Sequence, residues 1–356
     1  MSTVVQALNA SLRALLQQDP AVILLGEDLV DPYGGAFKVT RGLSTEFPDR
    51  VRSTPISEGT IVGMAAGMAL RGLRPIVEVM FGDFLTLCAD QLINHAAKYR
   101  WMYNDQVTVP MVIRTPMGGR RGYGPTHSQT LEKLLFGVPG IRIVALNRLT
   151  HPGRLLEASV AVPEPVLFIE HKLLYPQHLY EGQRLEEIGA QVRLTRGRFP
   201  TAVVSWTGFE ETDVTLITYG GMTDIVLQAA RALLLEEEIA CEVVVPTHIK
   251  PFAVGPMAES AARSGRVVIV EEGTESWGWG REVLYRLLDQ APQLAGKVAA
   301  IGARDLPIGN ARTLEDLTLP QLDDVKRVIT ELLRRDRCVP AQQQGLEASS
   351  WLSSEG

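Results

Sequence analysis

Thr54-Pro55-Ile56-Ser57-Glu58-Gly59, running on to Gly63 and Gly67, is the stretch from which the rest of the chain can be read. The proline-led, β-branched approach marks the end of a strand, and Ser-Glu followed by glycines every fourth residue marks the start of a helix. A carboxylate therefore sits in the first turn of a helix whose glycine face can lie close to another backbone. Taken by itself, the segment is satisfied by Ser57 capping the helix and Glu58 complementing its dipole. Whether Glu58 does more depends on what the chain brings to it.

Upstream, Val4, Val5, Leu8, Leu12, Leu15 and Leu16 recur at helical spacing until Asp19-Pro20 breaks the pattern before the apolar run Val22-Ile23-Leu24-Leu25. That strand delivers Gly26-Glu27-Asp28 to its carboxyl end, followed by a glycine-rich loop around Gly34-Gly35. Downstream, residues 75–80, 110–114, 141–146 and 166–169 read as strands and 83–103 as one long helix. Continuous apolar strands alternating with helices predict a parallel sheet covered on both faces, with ligands bound beyond the carboxyl ends of its strands. A polar stretch near residues 180–208 reads as an interdomain connection. Strands at 214–218, 241–245 and 267–270 then alternate with helices at 222–237 and 256–263. The fold class is α/β in two domains, spanning 1–190 and 211–337, with a linker at 191–210 and a Gln- and Ser-rich flexible tail at 338–356.

Composition removes several functions. With 356 residues, 46% hydrophobic, 21% charged and a net charge of -6, the chain is ordinary globular material without a basic field for nucleic acid. Three cysteines, Cys88, Cys241 and Cys338, lack metal-ligand spacing, so neither a disulfide framework nor a zinc site is expected. No signal peptide and no apolar run of bilayer length is expected, which points to a cytoplasmic protein without membrane partners. There is no G-x-G-x-x-G after a strand, no P-loop, no G-x-S-x-G elbow and no H-E-x-x-H pair.

What remains is a polar constellation at strand ends: Glu27, Glu58, Phe84, Gln91 and the loop from Arg114 to Gln129, with His127 near its end. With Gly26-Glu27-Asp28, Pro55-Ile56-Ser57-Glu58, Ala89 to Asn94, His127-Ser128-Gln129 and Phe168 to Lys172, the chain resembles, over residues 3–335, the β subunits of thiamine-diphosphate-dependent 2-oxo acid dehydrogenase first components of the pyruvate, branched-chain and acetoin type. The resemblance implies a pyrimidine-binding domain followed by a domain like the carboxyl-terminal domain of transketolase. It implies a lipoyl-acceptor oxidoreductase that decarboxylates a small 2-oxo acid. A biosynthetic carboligase subunit and a non-catalytic assembly subunit are the alternatives.

Each site residue has two readings. By resemblance Glu58 shares a proton with the aminopyrimidine ring of thiamine diphosphate, work suited to a desolvated carboxylate. Phe84 supplies a flat apolar surface for that ring; its other reading is an ordinary core phenylalanine. His127 matches the family's active-site histidine, which steers intermediates and helps meet the lipoyl group; otherwise it is a solvated loop histidine. Glu27 lies either near the cofactor or in a cap or ion pair at a strand end. Arg120 and Arg121, in a loop where many relatives carry small or neutral residues, bind a second carboxylate or a phosphate of the substrate or acceptor, or else form a solvated surface pair or an α-subunit contact.

Gly82-Asp83-Phe84 is present, but the Gly-Asp-Gly and paired asparagines that hold diphosphate and magnesium in this superfamily are not. The resemblance therefore assigns the diphosphate and Mg2+ to a separate α subunit in a two-α, two-β tetramer, with no metal ligand here. It also makes a lipoyl acyltransferase core a partner and leaves open a monovalent K+ near the strand at Val112. The face of Gly59, Gly63 and Gly67 suits either a subunit junction or internal packing. Pro246 to Pro251 departs from the family's pattern, which bears on the docking surface of the second domain.

Overall fold

The computed structural model describes residues 2–180 and 187–337. The predicted tail at 338–356 lies outside them. The first sheet contains β1 (Val22–Gly26), β2 (Val51–Ser53), β3 (Arg74–Glu78), β4 (Val112–Met117), β5 (Arg142–Ala145) and β6 (Val166–His171), all parallel. The second contains β7 (Ala190–Leu194), β8 (Thr201–Trp206), β9 (Val214–Thr218), β10 (Cys241–Pro246), β12 (Val267–Thr274) and β13 (Val298–Ala303). Between β10 and β12 lies β11 (His248–Lys250), which crosses to the first sheet and pairs antiparallel with β5, giving the order β11-β5-β6-β4-β3-β1-β2. The second sheet runs β13-β12-β9-β10-β8-β7.

The helix Val4–Gln18 begins with a capping box, Thr3 Oγ1 accepting from the Gln6 amide and Gln6 Oε1 from the Thr3 amide. Its Val4, Leu8, Leu12 and Leu16 are fully buried against β1, β3 and the helix Pro152–Val160. Each leucine contributes roughly 1.5–3 kcal/mol of apolar burial. On the other face of the sheet, the helix Glu58–Leu70 packs with residues 82–102, and this core continues into the second domain through Ile249, Met257, Ile269 and Trp279. The second sheet's far face is covered by helices Met222–Glu237 and Leu322–Arg337.

Three expectations change. The segment 83–103 is not one helix: it divides into a 3-10 turn Gly82–Cys88, a π-helical turn Gln91–Ala96 and an α-helical turn Tyr99–Met102. The glycine face of Glu58–Leu70 explains much of this, since a Cβ at Gly59 would stand 3.1 Å from the Leu87 carbonyl and one at Gly63 would stand 3.0 Å from Gln91 Oε1. The broken backbone presses into that face, whereas Gly67 meets nothing. The segment read as a linker carries β7 and β8, an antiparallel hairpin on the edge of the second sheet; β7 is mostly exposed and therefore too polar to signal itself. And the departing stretch Pro246 to Pro251 contains β11, so its His248 and Ile249 are spent on joining the domains.

Candidate active site

The carboxyl ends of β1 and β2 bring two acids together. Glu27 follows β1 directly, and Glu58 opens its helix five residues after β2; they are only 6% and 5% exposed. Burial raises the Glu27 carboxyl above the ordinary range, the neighbouring Glu58 charge raises it further, and the Ser57 backbone N–H opposes both. Glu27 Oε1 is buried without a hydrogen-bond partner. No hydrogen bond or ion pair joins the Glu58 carboxylate to another described side chain. Nor does Ser57 cap the helix with its hydroxyl, which donates instead to Thr60 Oγ1 at 2.8 Å. The buried Cys88 thiol is pushed up to about 12 by burial and by the Glu58 charge.

The turn Gly82–Cys88 connects these acids to the histidine loop. Its Leu87 carbonyl lies against Gly59, beside Glu58, while its Phe84 ring meets the His127 imidazole edge to face with centroids 5.2 Å apart. Phe81 stands 4.8 Å from His127 and 5.8 Å from Phe84. Phe37, from the glycine-rich loop after β1, and Tyr123 each lie 6.0 Å from Phe81 and extend this aromatic wall.

The loop carrying His127 contains Gly118, Gly119, Gly122 and Gly124, with Gly118, Gly122 and Gly124 at positive φ, so its conformation has to be imposed from outside. Much of that restraint comes from the second domain. Glu272 on β12 accepts from the Gly119 amide at 2.8 Å, and Glu315 accepts from the amides of Arg120 at 2.6 Å and Gly122 at 3.2 Å. Glu272 also contacts His171 Nε2 at 2.9 Å. Burial would raise the Glu272 carboxyl, but the His171 contact, Arg120 and the Gly119 amide together bring it down to about 2. Asp83 completes the frame by accepting from the Gln129 amide and side chain at 3.2 and 2.8 Å.

A second buried cluster lies next to this frame. Arg114 on β4 forms a bidentate pair with Glu170 at 2.6 and 2.8 Å and reaches Glu78 at 2.9 Å, and Tyr175 donates to Glu170 at 2.6 Å. Burial would lower the Arg114 guanidinium, but Glu170 and Glu78 raise it. Glu78 in turn touches the loop that presents Phe37, since a Cβ at Gly35 would stand 3.0 Å from Glu78 Oε1.

The structure thus gathers Glu27, Glu58, Phe84 and His127 around one turn. It separates the arginines. Arg120 points to the second domain, donating to the Pro320 carbonyl at 2.7 Å and to Gln321 at 3.3 Å, so its side chain is not available to a substrate. Arg121 is exposed and lies over the rings of Phe37 and Tyr123 at 5.8 and 5.5 Å, on the aromatic wall. Sequence reasoning gave no site role to Phe81, Phe37, Glu272 or Glu315. Only Phe81, adjacent to Gly82-Asp83-Phe84, carried a local signal.

Two acids beyond the strand ends, an aromatic wall and a second α/β domain holding the loop define a two-domain protein of transketolase type. A transketolase pyrimidine-binding domain matches residues 1–177, and a transketolase carboxyl-terminal domain matches residues 209–325. The chain belongs to the family of pyruvate dehydrogenase first-component β subunits. It is 35% identical over 327 residues to the mitochondrial pyruvate dehydrogenase E1 component subunit beta-2 of Oryza sativa subsp. japonica, covering 91% of this chain and 84% of that one. It is 33% identical to the acetoin:2,6-dichlorophenolindophenol oxidoreductase subunit beta of Cupriavidus necator, covering 88% and 92%. Among solved structures, a split-gene transketolase described as an inactive beta4 tetramer superposes with TM-score 0.67 at 22% identity, covering 93% of this chain and 98% of that one. The transketolase of Leishmania mexicana gives 0.62 at 16%, covering 94% and 46%. Among the described residues no helix is long and apolar enough to cross a membrane.

Proposed function

We propose that this chain is the β subunit of a thiamine-diphosphate-dependent 2-oxo acid dehydrogenase, working with an α subunit in a two-α, two-β tetramer and passing its acyl group to a lipoyl carrier. The observation that carries this reading is the pair Glu27 and Glu58, two nearly buried carboxylates with no side-chain hydrogen bond or ion pair among the described residues, one Glu27 oxygen being orphaned, near a turn that carries the half-buried Phe84. Such a site fits a flat heterocycle with a basic ring nitrogen. Glu58 would hold a proton at that nitrogen, Glu27 would keep the pocket's proton affinity high, and Phe84 would seat the ring. When bound, thiamine diphosphate supplies the carbon nucleophile that attacks the 2-oxo group.

Among the described residues no group of three or more His, Cys, Asp or Glu side chains could hold a metal ion. The assignment of Mg2+ and diphosphate to the α subunit rests on the family resemblance. The exposed Ile56, Met64 and Leu87 around the Glu58 helix supply an apolar surface for that partner.

The test is reconstitution. The chain co-purified with its α subunit should release carbon dioxide from a 2-oxo acid with thiamine diphosphate and Mg2+, and either chain alone should not. Tight, magnesium-dependent binding of thiamine diphosphate by the β chain alone in calorimetry would overturn the division of the site. Arg121 adds a substrate class: it has no ion pair among the described residues and lies against the wall that includes Tyr123, so a 2-oxo acid with a second acidic group is the favoured substrate. Arg121→Ala should then lower kcat/KM for an acidic 2-oxo acid by about tenfold or more while sparing a neutral one. Equal effects on both would remove this refinement.

A further inference from the structure

Lys172 is the residue of this site whose burial asks for an explanation. It follows β6 directly, and its whole side chain is fully buried. A buried ammonium persists only where its donors are used. Here Nζ donates to the Gly118 carbonyl at 2.7 Å and to the His127 carbonyl at 2.6 Å. Those two carbonyls mark the two feet of the glycine-rich loop, so one cation closes the loop at its base. Nζ also lies 5.3 Å from the centroid of Phe81, whose ring packs on the His127 imidazole. Lys172 therefore holds His127 from behind, through its backbone and through the ring beside it, without facing the cleft itself.

Resting on the proposed function, we infer that Lys172 is a positioning residue for His127, fixing the imidazole in its reactive place by tying Gly118 to His127. Elsewhere Glu272 holds the Gly119 amide, Glu315 the amides of Arg120 and Gly122, and Asp83 the amide and side chain of Gln129. His127 itself otherwise meets only loop neighbours in hydrogen bonding, its amide donating to the Gly124 carbonyl at 3.3 Å and its Nδ1 lying 2.9 Å from Thr126 Oγ1, so Lys172 is the one side chain from outside the loop that bonds it among the described residues. The charged groups around the ammonium are Asp83 from the 3-10 turn, Glu272 from β12, Glu315 from the helix Arg312–Thr318 and Arg121 from the loop itself. Burial lowers the amine to about 8, with Arg121 acting in the same direction and the three acids opposing.

The test uses the full chain assembled with its α subunit. Lys172→Met should lower kcat by about a hundredfold, the cost of misplacing a catalytic group by an ångström, with KM and thiamine diphosphate affinity little changed. Lys172→Arg should recover part of the loss. In a His127→Ala background, Lys172→Met should cost nothing further, because a residue that acts through another has no effect once that other is gone. Losses that multiply in the double variant, or a parental kcat in Lys172→Met, would overturn the inference. Backbone hydrogen exchange over residues 118–127 is a readout independent of turnover, and it should quicken in Lys172→Met. Should Lys172→Met not assemble, Lys172→Gln takes its place, and unchanged exchange there would equally overturn the inference. If His127→Ala itself retained parental turnover, the functional reading would fail, while hydrogen exchange would still decide whether Lys172 ties the loop.

Discussion

Two clusters of buried acid lie at the carboxyl edge of one sheet, and they are built in opposite ways. At Glu78 and Glu170 the charges are matched: Arg114 spends three N–H donors on them, and Tyr175 satisfies a further lone pair. At Glu27 and Glu58 no cation answers, one Glu27 oxygen is orphaned, and burial together with the Glu58 charge raises the Glu27 carboxyl. All four residues are less than a tenth exposed. What differs is the partner. Burial with a partner makes a scaffold, here one that props the Phe37 loop, while burial without one leaves proton affinity to be used by something outside the chain.

The comparison can be broken most sharply at Glu58. Glu58→Gln in the assembled enzyme should lose about 100- to 10,000-fold in turnover with no loss of folding, since the amide keeps the shape and removes the carboxyl proposed to share the proton. Arg114→Met should do the reverse, leaving two buried carboxylates uncompensated and destabilising the chain by about 3–5 kcal/mol in chemical denaturation. Were Arg114→Met neutral in stability, the scaffold reading would fall. Glu27→Gln sharpens the contrast. A carboxyl whose folded-state affinity for its proton is raised contributes stability below its unfolded pKa and loses it as pH rises through the folded value. At neutral pH Glu27 is therefore a cost, and its replacement should raise the thermal midpoint by about 2 °C while lowering activity. The smallest effect belongs to Ser57→Ala. Because the hydroxyl bonds Thr60 rather than a helix amide, the change should cost less than the ~1 kcal/mol of a true cap.

Much of this was legible before any coordinates. The strand Val22–Gly26, the helix Met222–Glu237 and the strand Val214–Thr218 announce themselves by local apolar pattern, and Glu58 by its place at a helix start. What stayed hidden is non-local. The strand His248–Lys250 exists only because the first sheet offers it an edge, and nothing in its three residues names β5 as the partner. The long helix expected over 83–103 has helical periodicity, but its backbone yields to close packing on Gly59 and Gly63 and to Asp83 turning toward Gln129. Glu272 and Glu315 stand 145 and 188 residues from His127, so their hold on its loop is invisible to spacing. Arg120 and Arg121 are adjacent and chemically identical in the sequence. Only the positive φ of Arg120 and the Pro320 carbonyl that receives it separate their roles.

The central claim is that Glu58 holds the proton that activates the cofactor. The most direct measurement is the rate of deuterium exchange at the thiazolium carbon of thiamine diphosphate bound to the assembled enzyme, by quenched-flow proton resonance, in the parent and in Glu58→Gln. The account predicts exchange slowed by at least about a hundredfold in the variant with the cofactor still bound. Equal exchange rates in the two would contradict it.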